Sequence, residues 1–260
     1  MNKILITGGN GHLGKYIVDS LLSKGYNPSV LTTQTILSES NRVQFFTGDL
    51  VENKGLQEAT EGADVIIHCA SNPRNFQQTD IKGTKNLLEA IDKNATKHFI
   101  YISIVGIDKS DYPYYGAKLE VEKSIINSGI PFTILRTTQF HDFVFNLLKT
   151  LEEQNSGNEG FIEIPSGLKF QSIAVNEVAD LLISLALEKP KGLLEDCGGP
   201  EVFSFEEMVA SYLKINRKNR QIKLLESEDI RHKLFTTGIN LCPNQKLGKQ
   251  TWEEFLIQKA

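Results

Sequence analysis

One stretch constrains the fold more than any other: Ile4-Leu5-Ile6-Thr7-Gly8-Gly9-Asn10-Gly11-His12-Leu13-Gly14. A short apolar run leads straight into glycines. Leu13, Ile17, Leu21 and Leu22 then fall on one helical stripe. Strand, glycine turn and helix, in that order, give a glycine motif its meaning. The glycines permit a tight turn and a close backbone approach. The helix N-terminus beyond Gly11 offers unpaired N–H groups and a positive dipole end to a pyrophosphate. A turn that merely joins strand to helix is the plain alternative, and His12 reads as loop-shaping.

The first half repeats the theme. Apolar runs at Asn27–Thr32, Val43–Thr47, Val65–Cys69, His98–Ser103 and Phe132–Thr137 alternate with amphipathic segments. Short runs of this kind suit strands buried on both faces of a parallel sheet. Leu87, Leu88 and Ile91 mark one intervening helix, and Val121, Ile125 and Ile126 another. Gly25 and Asn127-Ser128-Gly129 punctuate helix ends. The alternation predicts an α/β fold, a doubly wound parallel sheet of Rossmann type with helices on both faces.

After Thr137 the pattern loosens. The spacing predicts a helix over Asp142–Gln154, a polar loop at Asn155–Gly160, strands at Phe161–Ile164 and Phe170–Val175, and a helix over Val178–Leu187. Ser204 with Glu207, and Thr251 with Glu254, have capping-box spacing at two further helix starts. The expected organisation is a nucleotide-binding domain over 1–137. A smaller, irregular, substrate-covering part follows over 138–260, with some elements returning to the sheet.

Composition narrows the classes. The 260 residues carry 28 Lys+Arg against 32 Asp+Glu, a formal net charge of −4, which weighs against a nucleic-acid binder with a basic surface. No apolar run approaches the ~18 residues of a membrane span. The N-terminus turns into glycines too soon for a signal peptide. Cys69, Cys197 and Cys242 form no CxxC pair, and the five histidines form no HxH or HxxxH cluster, so no metal site is expected. No GxSxG elbow suggests hydrolase chemistry. The expected setting is cytoplasmic.

Thr7-Gly8-Gly9-Asn10-Gly11-His12-Leu13-Gly14 resembles the TGxxGxxG loop of the short-chain dehydrogenase/reductase superfamily. Gly48-Asp49-Leu50, Asp64-Val65-Ile66-Ile67-His68-Cys69-Ala70 and Gly83-Thr84-Lys85-Asn86-Leu87-Leu88-Glu89-Ala90 resemble later motifs of its extended and atypical members, the NmrA-like group among them. The resemblance implies an NAD(P) cofactor. Thr7, Gly8, Gly9, Asn10, Gly11, His12, Leu13 and Gly14 would hold its pyrophosphate. Asp49 and Leu50 would meet the adenine, with Cys69, Ala70 and Ser71 beside the cofactor. Thr137, with Thr138 and Gln139 behind it, would lie near the nicotinamide. The second strand ends Leu31-Thr32-Thr33-Gln34 without a carboxylate. That favours NADP(H) over NAD(H), with Thr32 and Thr33 as candidate donors and Arg42 further along.

Tyr114 and Lys118 lie four residues apart, on one face of a helix entered through Pro113. A lysine so placed can lower a phenol pKa from about 10 and make the tyrosine an acid. An incidental surface pair has the same spacing. In the family this YxxxK pair works with a Ser at the end of the fifth strand, where Ser103 stands. The resemblance therefore implies Ser103, Tyr114 and Lys118 as catalytic, with Lys118 also on the nicotinamide ribose. Tyr115 is the rival tyrosine. Asn72, Pro73 and Arg74 read equally as a plain loop or as residues on the nicotinamide side. Arg136 reads as a buried structural partner, and His141 as a packing or surface residue. The leading reading is a reductase of a small carbonyl or quinone. The alternatives are a non-catalytic redox sensor contacting a protein partner, and a nucleotide-sugar epimerase or dehydratase. Self-association stays open.

Overall fold

The apolar runs of the first half become the strands. In chain order the elements are β1 (Ile4–Thr7), α1 (His12–Ser23), β2 (Ser29–Thr32), β3 (Gln44–Thr47), α2 (Leu56–Thr60), β4 (Val65–His68), α3 (Gly83–Ala90), β5 (His98–Ile104), α4 (Pro113–Ile126) and β6 (Phe132–Thr137). Then come α5 (His141–Gln154), β7 (Phe161–Pro165), β8 (Lys169–Phe170), α6 (Val175–Ala186), β9 (Gly192–Leu193), β10 (Phe203–Ser204), α7 (Phe205–Ile215), β11 (Gln221–Leu225), α8 (Ile230–Thr236) and α9 (Trp252–Lys259). The computed structural model describes residues 3–34, 42–157 and 160–260. The expected loop at Asn155–Gly160 therefore lies partly outside the described residues.

Two units are distinguishable. Where described, the first comprises Met1–Ser103, Pro113–Arg136 and Val178–Glu195. It is built on a seven-stranded parallel sheet ordered β3-β2-β1-β4-β5-β6-β9. The order reverses at β1, which pairs with β2 on one side and β4 on the other. Loops leaving the carboxyl ends of β1 and β4 therefore flank a crevice, the place where such sheets take ligands. Every residue of β1 and β4 is buried. Leu5, Ile66, Phe99 and Ile134 from the strands meet Leu56, Leu87, Val121 and Ile125 from the helices in one core. Each such side chain contributes roughly 1.5–3 kcal/mol by its burial. That burial on both faces is why the strands read as continuous apolar runs.

The second unit comprises Ile104–Tyr112, Thr137–Glu177 and Asp196–Ala260. It holds a parallel pair, β7 with β11, and an antiparallel pair, β8 with β10. Phe170 packs with its ring centroid 4.7 Å from Phe235 and 5.8 Å from Phe205. Both capping boxes form as their spacing predicts, Ser204 with Glu207 and Thr251 with Glu254. The strand expected over Phe170–Val175 stops after Phe170, and α6 starts at Val175, three residues earlier than expected. The run is buried, but its polar side chains take over the bonding. The Gln171 amide bonds Gly199 O and Cys242 N–H, and Ser172 Oγ meets His141. Among the described residues no helix is long and apolar enough to cross a membrane, and no group of three or more His, Cys, Asp or Glu could hold a metal ion.

Candidate functional site

The glycine loop turns directly off β1. Gly8 has φ 68°, and Gly11 N–H donates to Gly8 O at 2.8 Å. A Cβ on Gly8 would meet Ala70 N at 2.7 Å, so the loop leans against the chain leaving β4. A Cβ on Gly14 would lie 2.1 Å from Gly8 O, so α1 packs against the loop with no space for a side chain. Three glycines thus bring backbone to the mouth of the crevice. The first N–H groups of α1 have no partner within the helix, and its first turn carries no acid. A dinucleotide pyrophosphate fits that cradle. His12 is exposed there, its ring 5.7 Å from Tyr16.

Beneath the loop, buried His68 bridges β1 to α3. Its Nδ1 lies 2.6 Å from Thr7 Oγ1 and its Nε2 2.8 Å from Thr84 Oγ1. A neutral ring satisfies both contacts, one nitrogen donating and the other accepting. Burial pushes His68 down to about 3, and nearby Lys118 adds to the effect. Burial likewise lowers His141 to about 4. In the unfolded chain both rings take a proton from about 6.5 downward. Their folded pKa values are depressed, so their contribution to stability is complete above about 6.5 and is lost as pH falls towards 4 and 3. At about 1.4 kcal/mol per unit, His68 alone accounts for up to roughly 5 kcal/mol. Melting temperatures measured from pH 7 to pH 4 will fall for the wild type, and less steeply for His68→Gln. Parallel slopes would count against the assignment.

His68 stacks on Tyr101 with centroids 5.6 Å apart, and Lys118 Nζ lies 4.3 Å from the Tyr101 ring centroid. Lys118 also donates to Ile102 O at 3.1 Å. Its ammonium is thus held against β5. Burial pushes Lys118 down to about 8, opposed by the Asp80 and Glu122 carboxylates. Tyr114, one turn earlier, is half-buried, and its hydroxyl lies 2.8 Å from Ser71 Oγ. Tyr115 is buried. Ser103 lies inside the protein, 2% exposed, and neither its hydroxyl nor that of Tyr101 finds a hydrogen-bond partner among the described residues.

Ser71 leads to a residue that sequence reasoning missed. Its hydroxyl donates to Asp80 Oδ1 at 2.6 Å, and Asn72 N–H donates to Asp80 Oδ2 at 3.0 Å. Asp80 is 1% exposed. It sits in a wide π-type turn, Gln77–Lys82, that runs into α3 and in which Gly83 N–H reaches back to Gln78 O. Such an inserted residue re-aims side chains and recurs at functional sites.

Other expected residues fall as follows. Thr32 Oγ1 accepts from Asn10 Nδ2 at 3.0 Å and from Gln34 N–H at 3.1 Å, tying the glycine loop to the end of β2; Thr33 is exposed. Asp49 Oδ1 accepts from the N–H groups of Val51 and Glu52, while Leu50 packs on the core. Cys69 N–H donates to Thr7 O, and burial pushes the Cys69 thiol up to about 12, keeping it neutral. Arg42 donates to Leu22 O at the end of α1. Asn72, Pro73 and Arg74 form an exposed loop. Arg136 makes a buried two-pronged pair with Glu122 at 2.9 and 2.7 Å, the structural role expected of it. Thr137 belongs to the second unit, where it is buried and its carbonyl accepts from Val105 N–H. In that unit Thr138 donates to Gln171 O, Asn240 donates to Gln139, and His141 is packed against Trp252 and Phe255.

A parallel sheet with a glycine cradle at its switch point defines a protein of the Rossmann dinucleotide fold. More particularly, the chain belongs to the NmrA-like family, whose model matches residues 1–239. It is 32% identical over 108 residues to the decarboxylating sterol-4-alpha-carboxylate 3-dehydrogenase of Homo sapiens, covering 39% of this chain and 29% of that protein. The match thus spans under a third of the dehydrogenase. Among solved structures, the NADPH-dependent quinone oxidoreductase of Escherichia coli, complexed with NADPH, superposes with a TM-score of 0.82 at 18% identity, covering 98% of this chain and 99% of that one. A nucleoside-diphosphate-sugar epimerase of Staphylococcus aureus superposes with a TM-score of 0.79 at 17% identity, covering 99% and 100%. These two likenesses are likenesses of fold.

Proposed function

We propose that the protein is a cytoplasmic NADP(H)-dependent oxidoreductase acting on a small carbonyl or quinone. The observation that carries this reading is the arrangement on α4. The Tyr114 hydroxyl lies 2.8 Å from Ser71 Oγ, just past the end of β4, and Lys118 is locked one turn behind it by Ile102 O and the Tyr101 ring. When bound, the nicotinamide supplies the hydride. The glycine loop and the start of α1 hold the pyrophosphate, and Lys118 holds the ribose and steadies charge on Tyr114. Tyr114 gives the proton to the substrate oxygen. The absence of an acid in Leu31-Thr32-Thr33-Gln34 supports NADP(H), since a 2′-phosphate meets no repulsion there.

The test is to follow NADPH and NADH absorbance in parallel with a panel of quinones and aldehydes. The expected result is repeated turnover, faster with NADPH. Tyr114→Phe should lose about 10²-fold in kcat with unchanged NADPH affinity. Retained turnover in Tyr114→Phe would overturn the acid assignment, and preference for NADH would overturn the cofactor assignment. A second reading, a redox sensor that binds NADP(H) without turnover, is favoured by the 2% exposure of Ser103. Tight NADPH binding with no turnover across the panel would favour it.

A further inference from the structure

The polarity of the Tyr114–Ser71–Asp80 contacts is fixed by proton counting. A carboxylate only accepts, so Ser71 must spend its single proton on Asp80 Oδ1. Tyr114 must then be the donor in its 2.8 Å contact with Ser71. The phenol proton therefore points down a chain that ends on a carboxylate buried to 1% exposure and anchored by Asn72 N–H. We propose that Asp80 is the proton terminus of this chain and charges Tyr114 for each turnover through Ser71. The proposal rests on the oxidoreductase reading and adds the source of its proton.

The chain carries protons alone; the electron pair belongs to the hydride. In reduction Asp80 first takes up a proton from solvent, which turns both contacts around, so that Asp80 donates to Ser71 and Ser71 to Tyr114. The Tyr114 O–H bond breaks as the substrate O–H bond forms. The Ser71 proton moves to the Tyr114 oxygen, and the Asp80 proton moves to Ser71. Asp80 is left as a carboxylate. Ser71 is exposed, so solvent restores the proton along the same path. Alcohol oxidation runs the transfers in reverse and ends with a protonated Asp80. Reduction should accordingly slow, and oxidation quicken, as pH rises through the ionisation of one carboxyl group. The ionisable groups facing Asp80 are Lys118 and Tyr114 from α4 and Tyr101 from β5. The π-type turn is what carries Asp80 to this position.

The experiment has two arms, each on the full-length chain. In the first, Asp80→Asn should keep NADPH affinity, lose about 10²-fold in kcat for reduction, and lose the pH dependence assigned to the carboxyl group. A wild-type rate and pH profile in Asp80→Asn would overturn the relay and leave the oxidoreductase reading standing. The second arm needs no turnover. Tyrosine labelled with 13C at Cζ is titrated by NMR, with the Tyr114 signal assigned by its loss in Tyr114→Phe. Removing the negative charge in Asp80→Asn should move the Tyr114 titration down by about one pH unit. An unmoved titration would overturn the relay even if the wild type turned nothing over, an outcome that would by itself overturn only the oxidoreductase reading. If Asp80→Asn does not fold, Ser71→Ala, which cuts the chain between Tyr114 and Asp80, takes its place in the first arm, where the same loss in kcat and in pH dependence is expected and a wild-type rate and profile would overturn the relay.

Discussion

Gly14→Ala is expected to lower stability by about 3 kcal/mol and to abolish measurable NADPH binding. The added Cβ would sit 2.1 Å from Gly8 O and 2.6 Å from Gly9 Cα. Both obstacles are backbone, so no side chain can swing aside. Either α1 backs away from the loop or the loop opens, and each response removes the N–H groups aimed at the crevice. Gly116→Ala is the control. It lies on the exposed side of α4, where a Cβ would meet nothing within 4 Å. That substitution should stabilise the protein by about 0.5–1 kcal/mol through helix propensity. Thermal melts and NADPH fluorescence titrations of the pair check both. Wild-type binding by Gly14→Ala would mean that the cradle is not the pyrophosphate site.

Glu122→Ala should cost about 3–5 kcal/mol, the range for removing one partner of a buried ion pair. The Arg136 guanidinium donates twice to Glu122, and the two side chains are 9% and 2% exposed. Truncation leaves a buried cation that has lost both of those bonds, and Arg136 cannot shed its proton. A double variant, Glu122→Leu with Arg136→Met, should recover most of the loss because apolar groups of similar size replace the pair. Urea unfolding of the single and double variants separates the cases. Equal destabilisation in both would show that the pair itself, rather than the stranded charge, sets the cost.

The residues readable in advance were those governed by short-range rules. β1 and β4 were readable because a strand covered on both faces must be apolar throughout. The Ser204 and Thr251 caps were readable because capping is a four-residue event. Tyr114 and Lys118 were readable because helical spacing alone relates them. Asp80 was not. Its role depends on one extra residue in a helical turn, and apolar periodicity is blind to such an insertion. Ser71 stood among the cofactor residues, but its link to Asp80 crosses from the end of β4 to another element. The parallel pairing of β7 with β11 joins segments about sixty residues apart, and β11 is largely exposed, so it carries no buried alternation to betray it. Ser103 sits where the spacing puts it, at the end of β5, but the sequence gives no sign of its depth.

The two-residue strand β9 bears on synthesis. Thr133 and Ile134 of β6 pair with Gly192 and Leu193, and Lys191 N–H donates to Thr133 Oγ1. The last strand of the sheet therefore leaves the ribosome some fifty-five residues after the strand it must join. A nascent chain that has just completed β6 holds six strands and an open edge, and it must wait several seconds at ordinary elongation rates for the seventh. During that wait the edge is a template for any extended chain nearby. A fragment ended at residue 137 would make the wait permanent. Pulse-labelled nascent chains should bind chaperones most strongly between the emergence of β6 and that of β9.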